Sequence, residues 1–167
     1  MDKKVWFITA TAIVVLVALL IIGSSKVVAA EYYDECYDTD TWTCVYIYLS
    51  EQWLVVTEGG ETVFEAPVVT GTAGTSRETP TGYYSIYSKE TCQTLRGDGY
   101  ASYVDYWMPF NGGIGMHDAT WRSEDEFAYC GETYLWNGSH GCVNMRYDDA
   151  ATVYSLVSVG DSVIVME

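Results

Sequence analysis

Asn137–Met145 reads NGSHGCVNM; it holds one of only two histidines in 167 residues, two positions before a cysteine with a glycine between. A thiol is a weak nucleophile at neutral pH because only a few per cent of it is ionised, and a nearby imidazole changes that. The other histidine, His117, lies upstream in GGIGMH. Both histidines sit beside glycines in segments that read as strand into turn. His140 and Cys142, at i and i+2, share a face of an extended chain but are strung along it, so neither points at the other. His117 arrives from a different strand and can face the sulfur. The residues therefore assign Cys142 as nucleophile, His117 as its base and His140 as a support for the turn or the substrate. Gly141 lacks a Cβ and lets a reacting carbonyl approach the backbone, where the N–H groups of Gly141 and Cys142 can receive the developing oxyanion.

Working outward, the flanking sequence reads as strands. VYIYLS and QWLVVT, from Val45 onward, are β-branched and aromatic runs parted by Ser50–Glu51 and followed by EGGE, the punctuation of an antiparallel meander. TVFEAPVVTG continues it, with Pro67 marking an edge or a bulge. A loop, TAGTSRETPTG, precedes a strand, YYSIYS, and the Gly- and polar-rich stretch 89–99 reads as a second loop. YASYVDYWMPF and GGIGMH are strand-like. After the motif, DDAATVYSLVSVG is the one convincing helix, with Asp148 and Asp149 at its N-terminus and Gly160 beyond it, and SVIVM closes as a strand. Residues 44–167 are thus a mainly β domain with one short helix.

The N-terminal part has another character. Residues 5–22, VWFITATAIVVLVALLII, are uncharged and long enough to cross a hydrocarbon layer at about 1.5 Å per helical residue. Lys3 and Lys4 before the run favour a cytoplasmic N-terminus and an exported remainder. Val28-Ala29-Ala30 leaves cleavage before Glu31 open as the rival to an uncleaved anchor. Residues 1–30 are read as anchor or signal peptide and 31–43 as an extracytoplasmic spacer. An oxidising exterior permits disulfides; with Cys142 kept free, Cys36–Cys44 is the favoured local loop and Cys92–Cys130 the favoured long-range staple. The formal net charge is −15, and −17 over residues 31–167. That acidity excludes nucleic acid as a partner, because a polyanion is bound by clustered Lys and Arg.

SHGCVN at Ser139–Asn144, preceded by GIGMHDATWR at Gly113–Arg122, resembles the L,D-transpeptidases of the YkuD type. Their hallmark is a histidine upstream of a [Ser/Thr]-His-Gly-Cys-hydrophobic-Asn motif. The resemblance spans residues 44–167, taking in TPTGYYSI and YWMPF. It implies a YkuD-like β-sandwich of short, mostly antiparallel strands with one short helix after the motif. The implied reaction is attack of Cys142 on the third residue of a peptidoglycan tetrapeptide stem, expelling D-Ala as a thioester forms. An amine of a second stem then resolves the thioester into a 3→3 cross-link. The resemblance also implies inhibition by carbapenem-type β-lactams and no cofactor.

On this reading Ser139 or Asp118 orients the imidazole of His117. Asn144 and Arg146 hold the motif loop or meet a substrate carboxylate, and Tyr106, Trp107, Phe110 and Trp121 are candidates to line the groove. Twenty-one residues separate His117 from Ser139, a few more than the family suggests. A Cys92–Cys130 bond would tie that extra segment to the 89–99 loop as a wall beside the site. Hydrolysis of the same acyl-enzyme would make the protein an L,D-carboxypeptidase, and a silent descendant would be a wall-binding module. A zinc site from His117, His140 and Cys142 lacks a further spaced ligand and leaves Gly141 unexplained.

Overall fold

The computed structural model describes residues 42–97 and 99–167. The expected membrane segment at 5–22, the spacer up to residue 41 and Cys36, with its expected bond to Cys44, lie outside the described residues. Among the described residues no helix is long and apolar enough to cross a membrane.

Among the described residues nine strands form two sheets. The first is ordered β3-β2-β1-β9-β4 and the second β5-β6-β7-β8. The strands are β1 (Thr43–Tyr48), β2 (Trp53–Glu58), β3 (Glu61–Pro67), β4 (Gly82–Ser85), β5 (Glu90–Gly97), β6 (Tyr100–Asn111), β7 (Ile114–Asp118), β8 (Val143–Met145) and β9 (Ser162–Met166). Two helices, α1 (Thr133–Asn137) and α2 (Tyr147–Leu156), and a 3-10 turn at Glu124–Glu126 complete it. Pairing is antiparallel except for β1 with β9 and β7 with β8. Cys44, Val45, Tyr46 and Ile47 are buried in succession, as befits a central strand covered on both faces. β3, which ends at Pro67, lies at the sheet edge where a residue without an N–H is tolerated.

One apolar cluster joins the sheets, with Val45, Leu54 and Val163 from the first, Met108, Met116, Val143 and Met145 from the second, and Val153 from α2. This core orients the site by the two-residue period of a strand. Met108, Met116 and Val143 point inward, so Trp107, His117 and Asn144 point to the opposite face. Trp107 pairs with His117 and His117 with Asn144, which sets the three in one row across β6, β7 and β8.

Three expectations are corrected. The stretch 89–99, read as a loop, supplies edge strand β5, because its pairing along the length of β6 overrides its polar composition. A second helix, α1, lies just before the motif. Cys92 and Cys130 are both free and exposed. Cys92 is on outer strand β5 with φ 57°. Cys130 belongs to the other side: its N–H reaches the carbonyl of Glu51 in the β1–β2 turn at 2.6 Å, beside a T-shaped Trp53–Tyr129 contact. The segment is pinned there by backbone and ring contacts.

Behind the motif runs the 68–79 segment. Val69 and Asn144 exchange backbone hydrogen bonds, Ser139 donates its N–H to Thr70, and Gly71 bridges to Ser139. A Cβ on Gly71 would stand 2.0 Å from the carbonyl oxygen of Arg77 and 2.6 Å from the nitrogen of Thr79, both backbone. Gly71→Ala is therefore expected to cost about 3 kcal/mol through overpacking, on the order of 10 °C in Tm. Gly113→Ala, where a Cβ meets open space, should stay within about 0.5 kcal/mol of wild type. Thermal unfolding of the two variants by circular dichroism checks both.

Candidate active site

A cavity of about 210 Å³ opens where β7, β8 and the tip of the β5–β6 hairpin converge. Cys142, His117, Asn144, Ser139 and His140 line it together with Trp121, Arg122, Asn137 and Gly138, and the hairpin contributes Leu95, Tyr100 and Ser102. The two residues on which the sequence reading turned, 25 positions apart, thus share one wall. Parallel pairing of β7 with β8 achieves this, since it sets His117 beside Asn144, two residues after Cys142.

His117 is 3 % exposed. Its ring has as neighbours those of Trp107, 5.8 Å away, and Trp121, 5.9 Å away. Nδ1 is 2.8 Å from the carbonyl oxygen of Asp118 and Nε2 is 3.1 Å from Nδ2 of Asn144. A carbonyl only accepts, so Nδ1 carries the proton and Nε2 holds the lone pair. Burial pushes the imidazole below its usual pKa, the carbonyl and carboxylate of Asp118 pull it back up, and Arg122 adds to the lowering. His117 is thus a neutral imidazole with Nε2 as its acceptor.

Cys142 is half-buried. Its thiol faces the carbonyl oxygen of Gly113 at 3.7 Å and meets the backbone N–H of Gly115. Burial pushes the thiol pKa up, and the Gly115 N–H offsets part of that rise.

The neighbours of these two residues divide the expected roles differently. Ser139 does not touch His117. Its hydroxyl donates to the carbonyl oxygen of Cys142 and accepts the N–H of Gly141, closing the turn on which the thiol is mounted. That bond also commits the Gly141 N–H, so the expected oxyanion pair loses one donor. Gly141 itself is required by its backbone: its φ is 119°, a region that strains any L side chain, and a Cβ would crowd Ile114 at 3.1 Å. Asp118 does support His117, through its carbonyl oxygen. Its buried carboxylate accepts the N–H groups of Asp105 and Tyr106, each at 2.8 Å, and holds β7 to β6.

His140 is on the rim, its ring 4.7 Å from that of Tyr100; burial and Arg77 lower its pKa. Asn144 and Trp121 line the cavity, while Trp107 is buried behind His117. Tyr106, Phe110 and Arg146 do not line it. Tyr106 packs on Tyr147 and Tyr154, and Phe110 on Tyr84. Arg146 reaches Glu124 Oε2 at 2.5 Å and the carbonyl oxygen of Phe127 at 2.9 Å, because it leaves β8 on the side of the 124–127 segment. The guanidinium at the cavity is that of Arg122, which the sequence reading quoted without a role. Tyr100, Leu95 and Ser102 carried no signal at all, since the hairpin folds over the site only in three dimensions.

Residues 43–165 match the profile of the L,D-transpeptidase catalytic domain, YkuD. Among curated proteins the chain is 33 % identical over 100 residues to probable L,D-transpeptidase 3 of Mycobacterium tuberculosis, covering 53 % of this chain and 34 % of that one. It is 30 % identical over 129 residues to L,D-transpeptidase 1 of the same organism, covering 71 % and 48 %. The chain thus spans half or less of the length of these relatives. An Enterococcus faecium L,D-transpeptidase crystal structure superposes with TM-score 0.69 at 30 % identity, over 77 % of this chain and 50 % of that one. The catalytic domain of an E. faecium L,D-transpeptidase, solved by NMR, superposes with TM-score 0.66 at 30 % identity over 77 % and 99 %. M. tuberculosis L,D-transpeptidase 3, in complex with a faropenem-derived adduct, superposes with TM-score 0.63 at 25 % identity over 75 % and 60 %. With the cysteine motif, the two-sheet fold and the matched profile in agreement, the chain belongs to the YkuD family of L,D-transpeptidase catalytic domains.

Proposed function

We propose that residues 44–167 catalyse acyl transfer on peptidoglycan stem peptides through a Cys142 thioester, releasing D-Ala from a tetrapeptide donor and forming 3→3 cross-links. The observation that carries this reading is that Cys142 and His117 line one cavity, with Nε2 of His117 an acceptor that Asn144 Nδ2 faces at 3.1 Å. The Asn144 N–H releases Nε2, and the thiol proton passes to Nε2 as sulfur bonds to the donor carbonyl carbon. The carbonyl π electrons move onto oxygen, in reach of the Cys142 N–H once substrate is seated. Collapse breaks the C–N bond, and the proton on Nε2 leaves with the amine of D-Ala. An acceptor amine then attacks the thioester, returns its proton through Nε2 and frees the sulfur.

The hairpin residues Leu95 and Tyr100, with Trp121 and His140, form the rim that the stem peptide would pass. The same sulfur would open carbapenem-type β-lactams; the relatives include the Ldtfm–avibactam carbamoyl enzyme and the faropenem-derived adduct. The apolar run at 5–22, with Lys3 and Lys4 before it, supports an extracytoplasmic site of action, anchored to the membrane or, if cleaved after Ala30, secreted.

The test is intact-mass spectrometry of residues 31–167 mixed with a tetrapeptide stem. The expected product is a stem adduct lacking D-Ala, resolved by a second stem into a dimer. Trimmed monomer without dimer would assign a carboxypeptidase instead. A protein that stays unmodified while its Cys142 still reacts with a small alkylating agent would overturn the reading.

A further inference from the structure

Arg122 lies in the segment after β7 and its side chain is 6 % exposed, as is rare for a guanidinium. NH1 pairs with Oε1 of Glu126 at 2.8 Å, and Nε donates to Oδ1 of Asn144 at 2.8 Å. Glu126 is itself held, accepting from Asn137 Nδ2 and the N–H of Ser123, each at 2.9 Å. A guanidinium has donors only, so it dictates which end of the Asn144 amide faces it. With Oδ1 turned to Arg122, Nδ2 must face Nε2 of His117. The reversed amide would set its NH2 against the guanidinium, leaving two buried donors opposed.

We infer that Arg122 is a positioning residue: anchored by Glu126, it orients the Asn144 amide and so holds His117 as the neutral Nδ1–H tautomer, with Nε2 kept as an acceptor. This inference goes beyond the acyl-transfer reading and rests on it only for its kinetic consequence. An imidazolium at His117 would aim an Nε2–H at the Asn144 NH2 group, so the network disfavours a charged resting state. Once Nε2 takes the thiol proton, the same opposition drives it on to the leaving amine. The charged groups that act on the imidazole are Asp118 from β7 and Arg122 from the segment beyond it; Cys142, from the turn before β8, lines the same cavity. Trp107 and Trp121 neighbour its ring without charge. Simple closure of the 119–137 segment is the structural alternative, and it would leave the tautomer untouched.

The experiment is nitrogen-15 NMR of the two histidines in wild type, Arg122→Met, Arg122→Lys and Glu126→Gln, with acylation by a carbapenem-type β-lactam measured in parallel. Wild-type His117 is expected as the Nδ1–H tautomer, neutral below pH 6.5. Arg122→Met should give mixed tautomers, a titration moved upward and acylation slowed on the order of tenfold or more. Arg122→Lys should keep the charge yet restore the tautomer only in part, and Glu126→Gln should shift it in the same direction as Arg122→Met. If Arg122→Met does not fold, Glu126→Gln decides. Folded variants with the wild-type tautomer and titration overturn the inference, even if acylation is slowed. A changed tautomer in a protein whose wild type is never acylated leaves the inference standing and removes the acyl-transfer reading.

Discussion

Cys142→Ala is expected to lower acyl-enzyme formation by at least about a thousandfold and to leave the fold intact. The size of the effect follows from the absence of a substitute. No other described cysteine lines the cavity, and the hydroxyl of Ser139 is engaged with the carbonyl oxygen of Cys142 and the N–H of Gly141. The fold survives because the side chain is half-buried at a cavity wall, outside the cluster that joins the sheets, so the cost stays near 1 kcal/mol or less. His117→Ala removes the base and keeps the nucleophile, for a loss of roughly 10²- to 10³-fold. Intact-mass measurement of adduct formation by wild type and both variants checks the order. A Cys142→Ala protein that still acquired the stem adduct would show that sulfur is not the acceptor.

Alkylation of Cys142 is expected to be slow at pH 7 and to accelerate about tenfold per pH unit above it until the thiol titrates. Burial raises the thiol pKa and lowers that of His117, so both shifts favour the neutral pair over thiolate and imidazolium. The sign is fixed by that direction: a raised thiol pKa means less thiolate at pH 7 than the few per cent of an ordinary cysteine. Iodoacetamide kinetics from pH 6 to 10 would measure this in a Cys92→Ser, Cys130→Ser background, which silences the two exposed thiols. A plateau reached below pH 7 would mean a preformed ion pair and contradict the expected neutral state.

How far the site could be read in advance depended on the range of each interaction. SHGCVN is a local pattern, and the identity of the nucleophile followed from six consecutive residues. His117 as partner came from scarcity, there being two histidines in the chain, and from strand periodicity, which excluded His140. Ser139 and Asp118 were singled out to orient His117, and their contacts differ from that: Ser139 closes the cysteine turn and Asp118 meets the ring through its backbone carbonyl. Side-chain chemistry names a residue as useful without saying which neighbour it meets. The Cys92–Cys130 pairing went wrong for a related reason. Two cysteines and an oxidising compartment are compositional facts, whereas a disulfide demands Cα atoms within about 7 Å, and these two belong to opposite sides of the fold.

Arg146 and Arg122 show the limit most directly. Both lie within five residues of a site histidine or cysteine. Only the path of residues 119–137 turns Arg146 toward Glu124 and buries Arg122 against Asn144. By itself the sequence determined the β-rich class, the motif and the family, because each depends on strand period and residue chemistry over short spans. The tertiary structure alone decided the tautomer of His117, the hairpin rim around Tyr100 and the Glu126–Arg122–Asn144 relay. Those depend on which strands pair and in what register, a balance of burial and hydrogen bonding between segments far apart in the chain.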